Sequence, residues 1–303
     1  YRSQRRGGRG VQGASSREED FVEHLFIANT HSYILFFTDK GKCYWVKVYD
    51  IPEGGRAAKG RAIVNLIGCE PDEKVSAFIS VKEFNEDHYV VMATEKGMVK
   101  KTKLSAYSNP RKKGIYAVEI RDGDKLIEAR VSTGDNDILL GTRNGKSIRF
   151  SEEQIRASGR KTMGVKGITL SSEDDRLVGM LLIKREGTVL VATEKGFGKR
   201  TEISQYRAQK RGGKGVLTMK TTEKVGKMVT IKEVVDKDDL MIITNQGVLI
   251  RLPVAQIRSI GRATQGVKLI KLGEGTLVSS ITRIMSEEEE DENNNTESTD
   301  PKE

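Results

Sequence analysis

Cysteine, histidine and tryptophan are scarce in this chain. Two cysteines, Cys43 and Cys69, in 303 residues make no disulfide framework and fall short of the roughly four ligands of a structural zinc site. The three histidines, His24, His31 and His88, lie in strand-like stretches without metal-ligand spacing and read as structural or surface residues. So little cysteine fits a reducing cytoplasm. No run of about 18 apolar residues is present to span a membrane. The first ten residues, YRSQRRGGRG, carry basic side chains with no apolar segment after them, which excludes a signal peptide.

Catalytic signatures are missing as well. There is no H-E-x-x-H, no Walker A loop, no G-x-S-x-G and no cluster of metal ligands. The acid pairs Glu152-Glu153, Asp174-Asp175 and Asp238-Asp239 fall between strand-like runs and read as solvated charge. No catalytic residue, metal or cofactor is expected in this chain.

What the chain does have is positive charge, unevenly placed. The net is +9, yet residues 286–303 hold nine acids and one lysine, a net of −8. The body before them therefore carries +17. A body this basic is suited to a polyanion. The acidic, Asn-rich end has almost no apolar residues and is expected to be disordered.

It also has an internal repeat of about 51 residues. Five turns share one pattern: TDKG (38–41), TEKG (94–97), TRNG (142–145), TEKG (193–196) and TNQG (244–247). Each stands between two apolar or strand-like runs, which predicts a β-hairpin. The glycine is expected in the left-handed conformation that closes a type I turn with a bulge. Ten residues past each turn glycine comes Ile51, Tyr107, Ile155, Tyr206 or Ile257. A basic loop then runs to a second glycine: Gly60, Gly114, Gly164, Gly215 or Gly266. With Tyr1 to Gly10 there are six such loops. Two strand-like runs follow each loop, for example AIVNLIG and KVSAFISV (62–68 and 74–81) or LIKL and TLVSSITRI (269–272 and 276–284). About four strands per repeat is the size of a propeller blade.

The expected fold is therefore all-β: a six-bladed, propeller-like disc of four-stranded antiparallel blades, closed or spiral, over residues 1–285, with an acidic tail over 286–303. The chain has no Trp-Asp dipeptide, which argues against the WD type. Six loops accompany only five hairpins, so the first repeat is expected to start before Tyr1.

The loops carry the chemistry. The first reads QRRGGRG and the fifth QKRGGKG. Arginine offers a planar fork for phosphate oxygens and lysine a mobile charge. Paired glycines let backbone N–H groups approach a phosphate closely. The candidate contacts are Gln4, Arg5, Arg6, Gly7, Gly8, Arg9 and Gly10 in the first loop, and Arg56 and Lys59 in the second. Arg111, Lys112 and Lys113 follow in the third, Arg160 and Lys161 in the fourth. Lys210, Arg211 and Lys214 lie in the fifth, and Arg262 in the sixth. Lys101, Arg149, Arg200 and Arg251 follow the hairpins and are added to this set. If every blade presents its loop on the same edge, these charges form a belt around the rim. No loop has an array of Asn, Gln and Arg suited to reading base edges, so sequence preference should be weak.

QRRGGRG at 4–10 resembles the gyrase box, a Gln-Arg-Arg-Gly-Gly-Lys/Arg-Gly motif of the DNA gyrase A C-terminal domain. The resemblance runs from Tyr1 to about Met285. It implies a six-bladed β-pinwheel that binds double-stranded DNA and wraps it in a positive sense, enabling negative supercoiling by the whole topoisomerase. It also implies that the cleaving tyrosine lies elsewhere in gyrase A and the ATPase in gyrase B, so ATP and magnesium serve the heterotetramer and not this domain. This fragment is expected to be cytoplasmic, nucleoid-associated and monomeric, with no membrane partner. QKRGGKG at 209–215 reads as a degenerate copy of the box. Two other readings stay open. The C-terminal DNA-binding domain of topoisomerase IV normally lacks an intact box. A protein-interaction propeller calls for apolar patches on the disc faces.

The tail reads as a solubilising end, or as a polyanion mimic that competes with DNA for the basic body. On the second reading, deleting 286–303 tightens DNA binding at low salt, measurable by fluorescence anisotropy; unchanged affinity leaves only the first.

Overall fold

The computed structural model describes residues 11–12, 28–54, 62–184 and 186–284. The expected contacts at 4–10, Arg56 and Lys59 lie outside them, as does the acidic tail.

The chain opens with β1 (Val11–Gln12), β2 (Tyr33–Thr38) and β3 (Lys42–Lys47), then helix α1 (Ile63–Ile67) and β4 (Val75–Val81). Next come β5 (Tyr89–Thr94), β6 (Met98–Lys103), β7 (Ile115–Tyr116) and β8 (Leu126–Ser132). The third group is β9 (Asp137–Thr142), β10 (Lys146–Ser151), β11 (Val165–Lys166) and β12 (Leu177–Ile183). The fourth is β13 (Thr188–Thr193), β14 (Phe197–Glu202), β15 (Val216–Leu217) and β16 (Met228–Val234). The last is β17 (Asp239–Thr244), β18 (Val248–Pro253), β19 (Val267–Lys268) and β20 (Val278–Ile284).

These strands make five four-stranded antiparallel sheets. All five predicted hairpins form, β2–β3, β5–β6, β9–β10, β13–β14 and β17–β18. The long strand after each loop returns to the first hairpin strand: β4 to β2, β8 to β5, β12 to β9, β16 to β13 and β20 to β17. The fourth, two-residue strand comes from another repeat. β7 adds to β3, β11 to β6, β15 to β10 and β19 to β14, while β1 adds to β18. Each blade is thus completed by a strand lent from elsewhere in the series.

The turns show why their residues recur. Each turn glycine has a positive φ, from 75° at Gly247 to 82° at Gly97 and Gly145. The turn threonines Thr38, Thr94, Thr142 and Thr244 are buried. Each hydroxyl accepts from the backbone N–H four residues on, at 3.1–3.3 Å. The glycine carbonyl then receives the next repeat: Gly41 O accepts from Ala117 N, Gly97 O from Gly167 N, Gly145 O from Thr218 N and Gly196 O from Leu269 N, each at 2.8 Å. That approach leaves no room for a side chain. A Cβ on Gly145 would lie 2.1 Å from Met219 O.

The interior of the first strand of each hairpin is apolar because it is covered on both faces. Leu35 and Phe37 pack in one cluster with Val90, Met92 and Leu126 of the next blade. Leu190 and Ala192 pack with Leu240 and Ile242 of the blade after them. Fully burying each such side chain contributes roughly 1.5–3 kcal/mol.

Three expectations fail. The described residues hold five blades and not six. The last loop is followed only by β19 and β20, which complete the fourth and fifth sheets, so it builds no blade of its own. The segment 62–68, expected as a strand, contains α1. Its counterparts β7, β11, β15 and β19 all pair with the second strand of the hairpin one repeat back, and this segment follows β2–β3, before which no hairpin lies among the described residues. Without an edge, a helix satisfies its backbone locally, ending at Gly68 with φ 64°. LIKL (269–272) is also not a strand; the pairing residues are the two before it.

Gly145→Ala should cost about 2 kcal/mol or more, from the left-handed φ and the carbonyl clash together. Gly159→Ala, where a Cβ meets nothing within 4 Å, should stay within about 0.5 kcal/mol of the parent. Urea denaturation midpoints of the two variants check this.

Candidate nucleic-acid interface

The four described basic loops, 108–114, 156–164, 207–215 and 258–266, occupy one position in the fold. Each leaves the end of its own hairpin and lies over the second hairpin strand of the blade before. Ser158 N donates to Lys101 O at 2.9 Å, Gln209 N to Arg149 O at 2.8 Å and Ile260 N to Arg200 O at 2.8 Å. The anchors at the loop starts, Tyr107, Ile155, Tyr206 and Ile257, are buried. Tyr206 also shares a 2.7 Å hydrogen bond with Thr218 Oγ1.

Consecutive loops are joined by an arginine. Arg160 donates to the carbonyl of Tyr116 at 3.2 Å, Arg211 to that of Lys166 at 2.9 Å and Arg262 to that of Leu217 at 2.8 Å. In each case the acceptor is the second residue of the lent strand that ends the previous loop. The arginines expected to bind phosphate at this repeated place are therefore half-buried ties between neighbours. Together they make the four loops from 108 to 266 one continuous band.

The exposed cations of that band surround the ties. Arg111, Lys112, Lys113, Lys161, Lys210 and Lys214 are exposed, as the sequence leads one to expect. Three further arginines, Arg156, Arg207 and Arg258, are exposed at one equivalent position in successive repeats. Each directly follows an anchor residue, a repeat signal that the loop centres alone do not reveal. Lys166 and Lys268, on the lent strands, are exposed too. Tyr116 is exposed beside them, with the Lys161 ammonium 5.9 Å from its ring centre.

The cations that follow the hairpins lie in the sheets. Lys101 is buried, with its ammonium 3.6 Å from Glu152 and 5.1 Å from the centre of the Tyr89 ring. Arg149 pairs with Asp137 at 2.7 Å and donates to the carbonyls of Ile203 and Tyr206. Arg200 donates to Ile257 O at 2.7 Å and pairs with Asp236. Arg251 pairs with Asp239 at 2.6 Å. In four blades the residue four past the turn glycine meets the one eight before it, a diagonal cross-strand pair. The pairs are Tyr33–Trp45, Tyr89–Lys101, Asp137–Arg149 and Asp239–Arg251.

One position earlier stand two lysines that are almost wholly buried, Lys100 and Lys199. Lys100 donates to the carbonyls of Ala117 and Arg160, both at 2.6 Å. Lys199 donates to Gly261 O at 2.7 Å, to Thr264 Oγ1 at 3.0 Å and to Arg262 O. Burial lowers the Lys100 ammonium to about 7, with the Arg160 guanidinium acting in the same direction. Burial and then Arg262 lower Lys199 to about 8.

Elsewhere, a cleft of about 1070 Å³ opens beside the fourth blade, lined by Thr188, Glu202, Val235 and Ser259 among others, with no histidine or cysteine. Among the described residues no group of three or more His, Cys, Asp or Glu side chains is placed to hold a metal. No described helix is long and apolar enough to cross a membrane.

A disc of antiparallel blades that lend strands to one another, with its basic loops joined in one band, defines a bladed, propeller-like class of domain. Within that class, the chain belongs to the family described as DNA gyrase C-terminal domain, beta-propeller, which it matches over residues 1–29, 32–82, 88–133, 136–184, 187–234 and 238–284. It is 47% identical over 291 residues to the DNA gyrase A protein of Staphylococcus epidermidis, covering 95% of this chain and 32% of that protein. With the Staphylococcus aureus protein it shares 46% over 302 residues, 99% of this chain and 34% of that protein. The chain thus spans about a third of the length of these curated relatives. A solved DNA gyrase A C-terminal domain superposes with a TM-score of 0.83 at 23% identity, covering 94% of this chain and 93% of that one. The C-terminal domain of DNA topoisomerase IV superposes at 0.77 with 26% identity, covering 85% and 80%.

A lysine lowered from 10.5 on folding binds fewer protons in the native than in the unfolded state, so its contribution to stability rises with pH between about 7 and 10.5. The denaturation midpoint of the parent should therefore gain on that of Lys100→Met between pH 7 and 9. Parallel pH profiles would show that Lys100 does not titrate in this range.

Proposed function

We propose that this chain binds double-stranded DNA along its loop band and wraps it in a positive sense, as part of a bacterial gyrase. The carrying observation is the band itself. Exposed arginines and lysines recur at matched positions of successive blades, on loops tied to one another by Arg160, Arg211 and Arg262. Such a surface neutralises phosphates in series along a curved path, and curvature lets each blade add contacts that straight DNA would miss. On this reading Gln4, Arg5, Arg6, Gly7, Gly8, Arg9 and Gly10 extend the band at the first loop, with Arg56 and Lys59 in the second.

The domain's contribution is mechanical. It hands a wrapped segment to a DNA gate formed by the rest of gyrase A together with gyrase B, in a cytoplasmic heterotetramer at the nucleoid. ATP and magnesium act there, and the domain itself catalyses nothing. A topoisomerase IV-type domain is the second reading, favoured by the likeness to that solved structure; it binds DNA with less wrapping.

With roughly six to ten phosphate contacts, affinity for a 40-base-pair duplex should fall about 10³–10⁵-fold between 50 and 200 mM salt. Replacing Arg156, Arg207 and Arg258 together by Gln should lower the slope of log K against log salt by about 3, and equally for unrelated sequences. Titrations by fluorescence anisotropy check both. A slope that the triple variant leaves unchanged would place the DNA elsewhere.

A further inference from the structure

Three of the four described loops, those ending at Gly164, Gly215 and Gly266, are of two kinds, and the residue beneath each one matches its kind; the shorter loop 108–114 lies on Tyr44. Residues 156–164 read RASGRKTMG and 258–266 read RSIGRATQG, both of the pattern R-x-x-G-R-x-T-x-G. Residues 207–215 read RAQKRGGKG, with Lys210 in place of the glycine at the fourth position, and Gly212 and Gly213 in place of Lys161 or Ala263 and of the threonine. The floor is the residue three past the turn glycine of the preceding blade. It is Lys100 under the first loop of this set and Lys199 under the second, but Ile148 under the Gly-Gly loop.

The geometry accounts for the pairing. In the first kind, inward carbonyls at Arg160, or at Gly261 and Arg262, accept from the floor ammonium. The threonine hydroxyl bonds back to the carbonyl of the loop's first glycine at 3.0 Å in both loops. In all three loops the carbonyl at the seventh position accepts a backbone N–H, from Glu119 at Thr162, from Thr169 at Gly213 and from Lys220 at Thr264, at 2.9–3.1 Å; in the Gly-Gly loop the Thr169 hydroxyl adds a 2.7 Å bond to Gly212 O. No lysine stands beneath this loop; the Ile148 side chain holds the floor position, 3.4 Å from where a Cβ on Gly213 would be.

We propose that Lys100 and Lys199 are positioning residues: each holds its loop, and with it Arg160 or Arg262, in the shape that meets DNA, whereas an isoleucine floor serves the Gly-Gly loop at 207–215. The inference rests on the DNA-binding reading of the band. Neither lysine touches DNA; each acts through the carbonyls of the loop above it. Removing the ammonium strands buried carbonyls and frees the loop.

The test uses the whole 303-residue chain in three forms. These are Lys100→Ile, Lys199→Ile, and Lys100→Ile with residues 156–164 replaced by RAQKRGGKG. Hydrogen exchange reads the loops without DNA, and anisotropy reads duplex binding. Each single variant should lose roughly tenfold or more of the protection of its own loop. It should also bind DNA roughly threefold to tenfold more weakly, with a salt slope shallower by about 1 to 2. The matched swap should restore both. If Lys100→Ile fails to fold, Lys199→Ile and the swap carry the test. Retained protection in a folded single variant overturns the latch. Lost protection with unchanged DNA affinity overturns its role in presentation, and so does a swap that rescues neither readout. A parent that does not bind DNA refutes the function above, while the exchange data still report on the latch.

Discussion

Every hairpin in this molecule leaves the outer edge of its second strand unpaired, and two residues from another repeat fill it. An open edge is a template for stray association. Here it is closed by β7, β11, β15 and β19 from the repeats that follow, and by β1 on the last sheet. The turn glycine tightens the join, since its carbonyl receives the same incoming segment. No blade is complete alone, so the repeats fold as a series in which each neighbour supplies part of the next.

The position of the basic loops follows from that exchange. To reach the neighbouring edge, the chain must cross over the preceding blade, and the loop is that crossing. Its first half lies on the second hairpin strand, its end becomes the lent strand, and its arginine ties it to the loop before. The cations therefore divide by depth. Those in the sheets pair with Glu152, Asp137, Asp236 or Asp239 and join elements of the fold. Those on the crossing face solvent and remain open to a polyanion.

Much of this was legible in the sequence because it is local. A turn of four residues, a glycine at its end and an anchor ten residues later all fall within one repeat, so their period exposed the blades and the loops. The roles that depend on a neighbouring blade did not show. Arg160, Arg211 and Arg262 look like phosphate ligands along the chain, and their acceptors lie 44 or 45 residues away. Lys100 and Lys199 look like surface residues, because nothing nearby in sequence announces the loop carbonyls, 60 or more residues on, that accept from them. The segment 62–68 has the composition of a strand, but a strand needs an edge, and among the described residues none is offered where α1 forms. The blade count missed for the same reason: six loops do not make six blades unless each has a hairpin.

The topology of DNA bound by this domain tests the central claim most directly. Nicked plasmid is incubated with increasing protein, sealed with ligase, stripped and resolved by topoisomer sign. The account predicts a protein-dependent shift to positive linking difference that is lost when residues 4–10 become alanine. Binding that leaves the linking number unchanged would contradict chiral wrapping and leave only a basic surface.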